Sequence, residues 1–305
     1  MATVIERYTQ GHGPAFQAKP TLQEKAPSHR EKLHHVQTTL NYYKDPEDGS
    51  GPIPNYIGRP NLFQNQIDAV PVTVTDISDS EHEYTLDGNG FQVFQRASKE
   101  RDFIDEEKIK TEYYPEIEKL LRDVTGASKI FIFDHTIRRP ANTADAEAAD
   151  PSMVRGPVTC VHIDQSYAAS LARVSHHLPN EAPALLQSRV QIINVWRPIK
   201  RIFKDPLAVV DAHSVPDSDL VGVPLVYPDR VGETYAVRAN EAHRWYFKYG
   251  LGTNEVILIK CFDSKVDGRA RRVPHTAFVD AVEEEREARE SFAVRALVFH
   301  KDDRE

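Results

Sequence analysis

Val161-His162-Ile163-Asp164-Gln165-Ser166 is the stretch on which the reading of this chain turns. His162 and Asp164 stand two positions apart. On a β-strand such residues leave the same face, so an imidazole and a carboxylate point into one space. A third ligand is offered by His275, within Val273-Pro274-His275-Thr276-Ala277-Phe278. Two histidines and one carboxylate around open positions are the ligand set of non-haem Fe(II) oxygenases. Spacing alone is a weak sign. The chain holds 13 His and 46 acidic residues, so such a pair with a later His arises easily by chance and then means a surface His and a solvated Asp.

The flanks of this stretch read as strands. Residues 158–164 form one candidate, entered from a polar loop over 137–157 that is either a rim to the site or an ordinary insertion. A short helix is expected over 168–178. Residues 190–196 form a strand stopped by Arg197-Pro198, with Ile192, Asn194 and Trp196 on one face. Further short strands are expected at 207–210, 225–227, 233–237, 245–247, 256–262 and 291–299. Upstream, residues 69–75 alternate with period two, and Pro71 suggests a sheet edge. Residues 91–94 form another strand. A helix over 102–121 carries Pro115 as a kink or break, and 129–133 reads as a short buried strand. Residues 1–55 read as an irregular arm wrapped on a single domain, 56–305, with 23–37 as its helix-like piece. Many short strands with helical additions predict a mainly β fold, a sandwich or barrel. GxGxxG, GxxxxGK[ST] and GxSxG are absent, which removes the easiest nucleotide and serine-hydrolase readings.

Composition fits a soluble globular protein. The 305 residues are 40% hydrophobic and 28% charged, with net charge −8, so no basic face for nucleic acid is expected. The two cysteines, Cys160 and Cys261, form no disulfide framework and read as reduced thiols. No apolar run of signal-peptide or membrane-span length is present, and a cytoplasmic location is expected.

Several segments together resemble a fungal hydroxylase/desaturase family of secondary metabolism, related to gibberellin-desaturase-like proteins, a divergent group of Fe(II)/2-oxoglutarate oxygenases. These are Leu40-Asn41-Tyr42-Tyr43 with Pro46-Glu47-Asp48-Gly49, the His162 stretch, Asn194-Val195-Trp196-Arg197-Pro198 and Trp245-Tyr246. Lys260-Cys261-Phe262-Asp263-Ser264, Gly268-Arg269-Ala270-Arg271 and the His275 stretch complete the set. The resemblance spans about residues 39–300. It implies a double-stranded β-helix, a jelly-roll barrel, with His162, Asp164 and His275 as iron ligands and 2-oxoglutarate as co-substrate. Val273 departs from the aromatic residue expected before Pro274-His275.

The distal carboxylate of the co-substrate calls for a guanidinium. The resemblance puts Arg289 and Ser291 there, with Arg295 as runner-up and Asn194 as a further contact. Trp196, Trp245, Tyr246 and Arg272 are candidates for the substrate pocket, Gln165 and Ser166 for bonds to the ligands. The implied activity is hydroxylation or desaturation of a small, largely apolar natural product, a terpenoid or polyketide, with a homodimer as the candidate assembly. The alternative is a redox-neutral cyclase or pericyclase that uses the barrel without cofactor and accelerates a cycloaddition by orientation alone.

Overall fold

The computed structural model describes residues 33–57, 65–140 and 156–304. Two sheets carry the fold. One has five antiparallel strands in the order β4-β12-β7-β14-β5: β4 (Phe91–Gln95), β12 (Glu255–Asp263), β7 (Arg189–Pro198), β14 (Ser291–His300) and β5 (Lys129–Arg138). The other has nine, in the order β1-β3-β11-β8-β13-β6-β10-β9-β2. Its strands are β1 (Val36–Tyr43), β3 (Ile67–Asp76), β11 (Trp245–Phe247), β8 (Leu207–Val210), β13 (His275–Ala277), β6 (His162–Ile163), β10 (Val231–Val237), β9 (Leu220–Val226) and β2 (Asn55–Tyr56).

Alternation along β7 shows how the layers form. Trp196 packs with Ile257 and Ile259 against Val209, Val210 and Phe247 of the larger sheet. Ile193 and Val195, one residue out of phase, face the other way. They meet Ile109, Tyr113, Ile117, Leu120 and Leu121 of a helical run. Every residue of β7 is therefore buried, and its sequence is a near-continuous apolar run rather than a clean alternation. The run begins at α1 (Glu106–Lys108), where Asp105 Oδ1 accepts from the amides of Glu107 and Lys108. It widens to a π-helical turn over Ile109–Tyr113 and continues as α2 (Tyr114–Thr125). The expected kink at Pro115 takes this form: proline has no amide for the i→i−4 ladder, and the wider turn just before it absorbs the fault. Gly126, at φ +68°, ends the helix. Below, α3 (Tyr167–His177) and α4 (Ala182–Leu185) close one end over Ile163, Val190 and Phe299.

Several strand expectations change. The stretch 158–161 is not strand: only His162–Ile163 pair regularly, with an isolated bridge from Cys160 to Asn41. Strand β5 is longer than 129–133 and forms the sheet edge, so it is half-buried, not buried. Strand β3 has β1 beside it from Ile67 to Val74, and β11 joins it only from Val74 to Asp76. Pro71 sits where that second side is open, so its missing amide costs no ladder bond. The expected irregular arm supplies β1, and Val36–Gln37 is strand rather than helix. The helix-like expectation for 23–32 and most of the loop 141–155 lie outside the described residues. Both cysteines are free.

Candidate functional site

Strands β6 and β13 are neighbours in the larger sheet, and His275 stands directly opposite His162. Their rings lie 4.5 Å apart between centroids. Asp164, just past β6, completes the group: its Oδ1 is 3.5 Å from His162 Nε2 and 4.0 Å from His275 Nε2. One ligand atom from each residue lies within 4.8 Å of the others. Cis donors around an octahedral ion at ~2.1 Å stand about 3 Å apart, so the three need shift little to share an ion.

The donor chemistry also fits. His162 Nδ1 donates to the Cys160 carbonyl at 2.9 Å, and His275 Nδ1 to the Val273 carbonyl at 3.1 Å. A carbonyl only accepts, so each Nδ1 carries the hydrogen and each Nε2 presents a lone pair to the centre. Burial pushes His275 down to about 4, with His162 adding to the effect and Asp164 opposing it, so the ring is neutral near pH 7. Burial works against charge on Asp164 as well, but Arg295 holds its carboxyl well below the usual range. Its Oδ2 accepts from Asn194 Nδ2 and from Arg295 Nε, both at 2.7 Å, which leaves Oδ1 to face the histidines. Sheet register puts those two anchors in place. Ile259, Asn194 and Arg295 pair across β12, β7 and β14 and line the same cleft. β14 pairs with β7 without a break, so Arg295 faces the cleft by plain alternation with Ser291 and Ala293, and its Nη1 donates to Asp134 and Thr136 of β5, where Phe133 is an extra residue opposite the Arg295–Ala296 step.

The cleft over the triad has an empty space of about 450 Å³, its open mouth included, and Trp196, Leu207, Arg138 and Arg289 form its far walls. Arg289 is buried. Its Nη1 donates to the Asp205 carbonyl at 2.8 Å, and its guanidinium lies 5.5 Å from the Trp196 ring centre. Its Nε and the Ser291 Oγ are buried without a hydrogen-bond partner among the described residues. Burial pushes Arg289 down to about 9, Arg138 adds to this and Asp205 opposes it. A guanidinium does not give up its proton near neutral pH, and among the described residues Arg289 has no carboxylate partner. The orphaned Nε and hydroxyl suit a carboxylate.

Other sequence candidates stand elsewhere. Trp245 Nε1 donates to Tyr42 Oη at 2.7 Å inside the core, and Tyr246 packs on Tyr84 and Phe91. Both border a separate groove, because β11 lies two strands away from β13 in the sheet order. Arg272 is spent on the carbonyls of Ala212 and Val215 and on Asp217 at 2.6 Å. Ser166 caps α3 by accepting from the Ala169 amide, so it does not bond the ligands. Gln165 bonds none of them either. Val273, in place of the expected aromatic, is buried against Gly90, where φ is +87° and an added Cβ would lie 2.3 Å from a Val273 methyl carbon. The anchoring of Asp164 by Arg295 and the place of Arg138 in the cleft were missed. The first depends on which strand comes to lie opposite Asp164 and the second on an edge strand, and neither leaves a sequence signature.

A jelly-roll barrel with two histidines and an aspartate converging at its mouth defines the class of non-haem iron oxygenases. A family model described as an oxidoreductase/YMDC permease-like domain matches residues 40–299. The hydroxylase/desaturase efuI of Hormonema carpetanum is 37% identical, over 88% of this chain and 96% of the relative. The alpha-ketoglutarate-dependent dioxygenase phiK of Fungal sp. (strain ATCC 74256) is also 37% identical, over 86% and 95%. Among solved structures, the iron and alpha-ketoglutarate-dependent endoperoxidase NvfI superposes with a TM-score of 0.73 at 24% identity, covering 87% of this chain and 98% of that one. The chain belongs to the fungal hydroxylase/desaturase family of iron- and 2-oxoglutarate-dependent oxygenases. It is an oxidoreductase, and the redox-neutral alternative is not favoured.

Proposed function

We propose that His162, Asp164 and His275 hold Fe(II), that Arg289 and Ser291 receive the distal carboxylate of 2-oxoglutarate, and that the enzyme hydroxylates or desaturates a small natural product. The observation that carries this reading is the convergence of two bare Nε2 atoms and one free carboxylate oxygen. When bound, iron and 2-oxoglutarate supply the activation of O₂ that oxidises an otherwise unreactive C–H bond. The chain's own residues prepare the place. Asn194 and Arg295 hold Asp164 ionised and turned. The two carbonyls hold the imidazoles in one tautomer. Trp196, Leu207 and Ile259 line the cleft and limit access of water. The substrate is a terpenoid or polyketide on this reading, and a cytoplasmic location fits two free thiols. Among the described residues no helix is long and apolar enough to cross a membrane.

The test is anaerobic titration of the protein with Fe(II) and 2-oxoglutarate, read from the visible charge-transfer band of their chelate. A stoichiometric band that disappears in His275→Ala is expected. No band, with no bound metal by elemental analysis, would remove the oxygenase reading.

A further inference from the structure

On the other side of Asp164 and Arg295 from the Arg289 cleft lies a second cavity, which both residues also line. Its empty space is about 890 Å³ with the mouth included, a size suited to a small-molecule ligand. Ile57, Ile137 and Leu225 give it apolar walls. Its two carboxylates share one partner and leave a second guanidinium to one side. Asp164 and Asp134 are both paired to Arg295, at 2.7 and 3.1 Å. Burial, the largest effect, pushes His135 toward its neutral form. That leaves Arg173, which reaches the cavity from α3.

Arg173 is half-buried and held in place by neutral groups. Its Nη2 donates to Tyr227 Oη at 3.3 Å, and its guanidinium stands 4.9 Å from the Phe133 ring centre. No carboxylate among the described residues forms an ion pair with it. The ring of Tyr227 is not free either: Arg230, paired with Asp229 at 3.6 Å, lies 3.8 Å from its centre, which helps to fix the phenol. A guanidinium has five donors, and one hydrogen bond to a phenol leaves most of Arg173's without a partner among the described residues. A cationic end, apolar walls and a metal-ligand carboxylate at the other end describe a site for an amphiphilic anion.

Resting on the oxygenase reading, we infer that Arg173 recognises a carboxylate on the substrate. The substrate class is then an apolar carboxylic acid. Its body lies along Ile57, Ile137 and Leu225, and its reacting carbon, remote from the acid group, is presented beside Asp164. Arg173 is a specificity-determining residue and takes no part in the oxidation.

The probes are octanoate and octan-1-ol, which share a chain and differ in charge. Each is titrated into anaerobic protein loaded with Fe(II) and 2-oxoglutarate. Binding is read by calorimetry and position by proton relaxation, relative to protein loaded with Zn(II). Octanoate binding at least about tenfold tighter than the alcohol is expected, the worth of one charge-assisted bond or more, with its terminal methyl protons relaxed most. Arg173→Met removes the preference, Arg173→Lys restores part of it, and the charge-transfer band is unchanged in both. Equal affinity for acid and alcohol, an Arg173→Met variant that keeps the preference, or strongest relaxation next to the carboxylate each overturns the inference. A wild-type chain that forms no band fails the oxygenase reading instead, and the acid-over-alcohol comparison in wild type and Arg173→Met still decides the role of Arg173.

Discussion

Replacing Arg289 with methionine should move two properties of the protein in opposite directions. Arg289 is buried beside Arg138, with one carbonyl to bond and an orphaned Nε. Its depression from 12.5 to about 9 sets an upper scale: at about 1.4 kcal/mol per tenfold this is roughly 5 kcal/mol. Water entering the open cleft recovers most of it, leaving roughly 2 kcal/mol that the substitution relieves. Loss of the bond to the Asp205 carbonyl takes back about 1 kcal/mol. The cofactor-free variant should thus melt about 2 °C higher than wild type, since a domain of this size shifts about 2 °C per kcal/mol. Co-substrate binding moves the other way. Two charge-assisted bonds to a carboxylate are worth about 3–5 kcal/mol together, so 2-oxoglutarate affinity should fall by about two to three orders of magnitude. Thermal denaturation with and without 2-oxoglutarate reads both effects. At a hundredfold excess over its dissociation constant the co-substrate should stabilise iron-loaded wild type by about 2.7 kcal/mol and leave the variant unmoved. A dissociation constant within about fivefold of wild type would refute the argument and pass the role to Arg138.

Asp164→Asn should lower iron affinity more than about 100-fold, beyond what loss of a merely supporting bond costs, while circular dichroism still shows the native β signal. Metal analysis checks it, and full activity in that variant would end the triad reading. The cofactor-free protein should lose stability in acid before its carboxylates titrate. His275 is held at about 4 in the fold against 6.5 when free. The unfolded chain then binds more protons across that window, and stability falls by up to about 3 kcal/mol as pH drops from about 6.5 to about 4. His177, also pushed down to about 4, acts in the same direction, whereas Asp164, held low, keeps its contribution until more acid pH. Denaturant midpoints measured from pH 7 to 4 should be flatter in His275→Gln; an unchanged slope would show that the ring is not held neutral by burial. Trp245→Phe should cost roughly 2 kcal/mol of stability through the lost Tyr42 bond and core volume and leave the charge-transfer band and KM alone. A raised KM with normal stability would return Trp245 to the substrate pocket.

Part of this protein is legible from its residues in order. The alternation and apolar runs at β7, β8, β12 and β14 mark the core strands, because one strand's side chains report which faces are buried. His162 and Asp164 declare themselves through a spacing of two, and the resemblance singled out His275. Sequence did not decide what depends on neighbours distant along the chain. Whether His275 meets His162 rests on β13 pairing with β6, and 113 positions separate the two histidines. Arg295 serves Asp164 because β14 pairs beside β7 at the level where the chain leaves β6, while Trp245, with the same aromatic promise as Trp196, is carried by β11 into the core. Arg173 has no feature in sequence to set it apart from the other arginines; only the folded cavity shows a cation without an anion. Local spacing fixes which side chains share a face. Which faces meet, and which charges are left to find partners outside the chain, is set by pairing between strands far apart in sequence, and a single chain read in order does not carry that pairing.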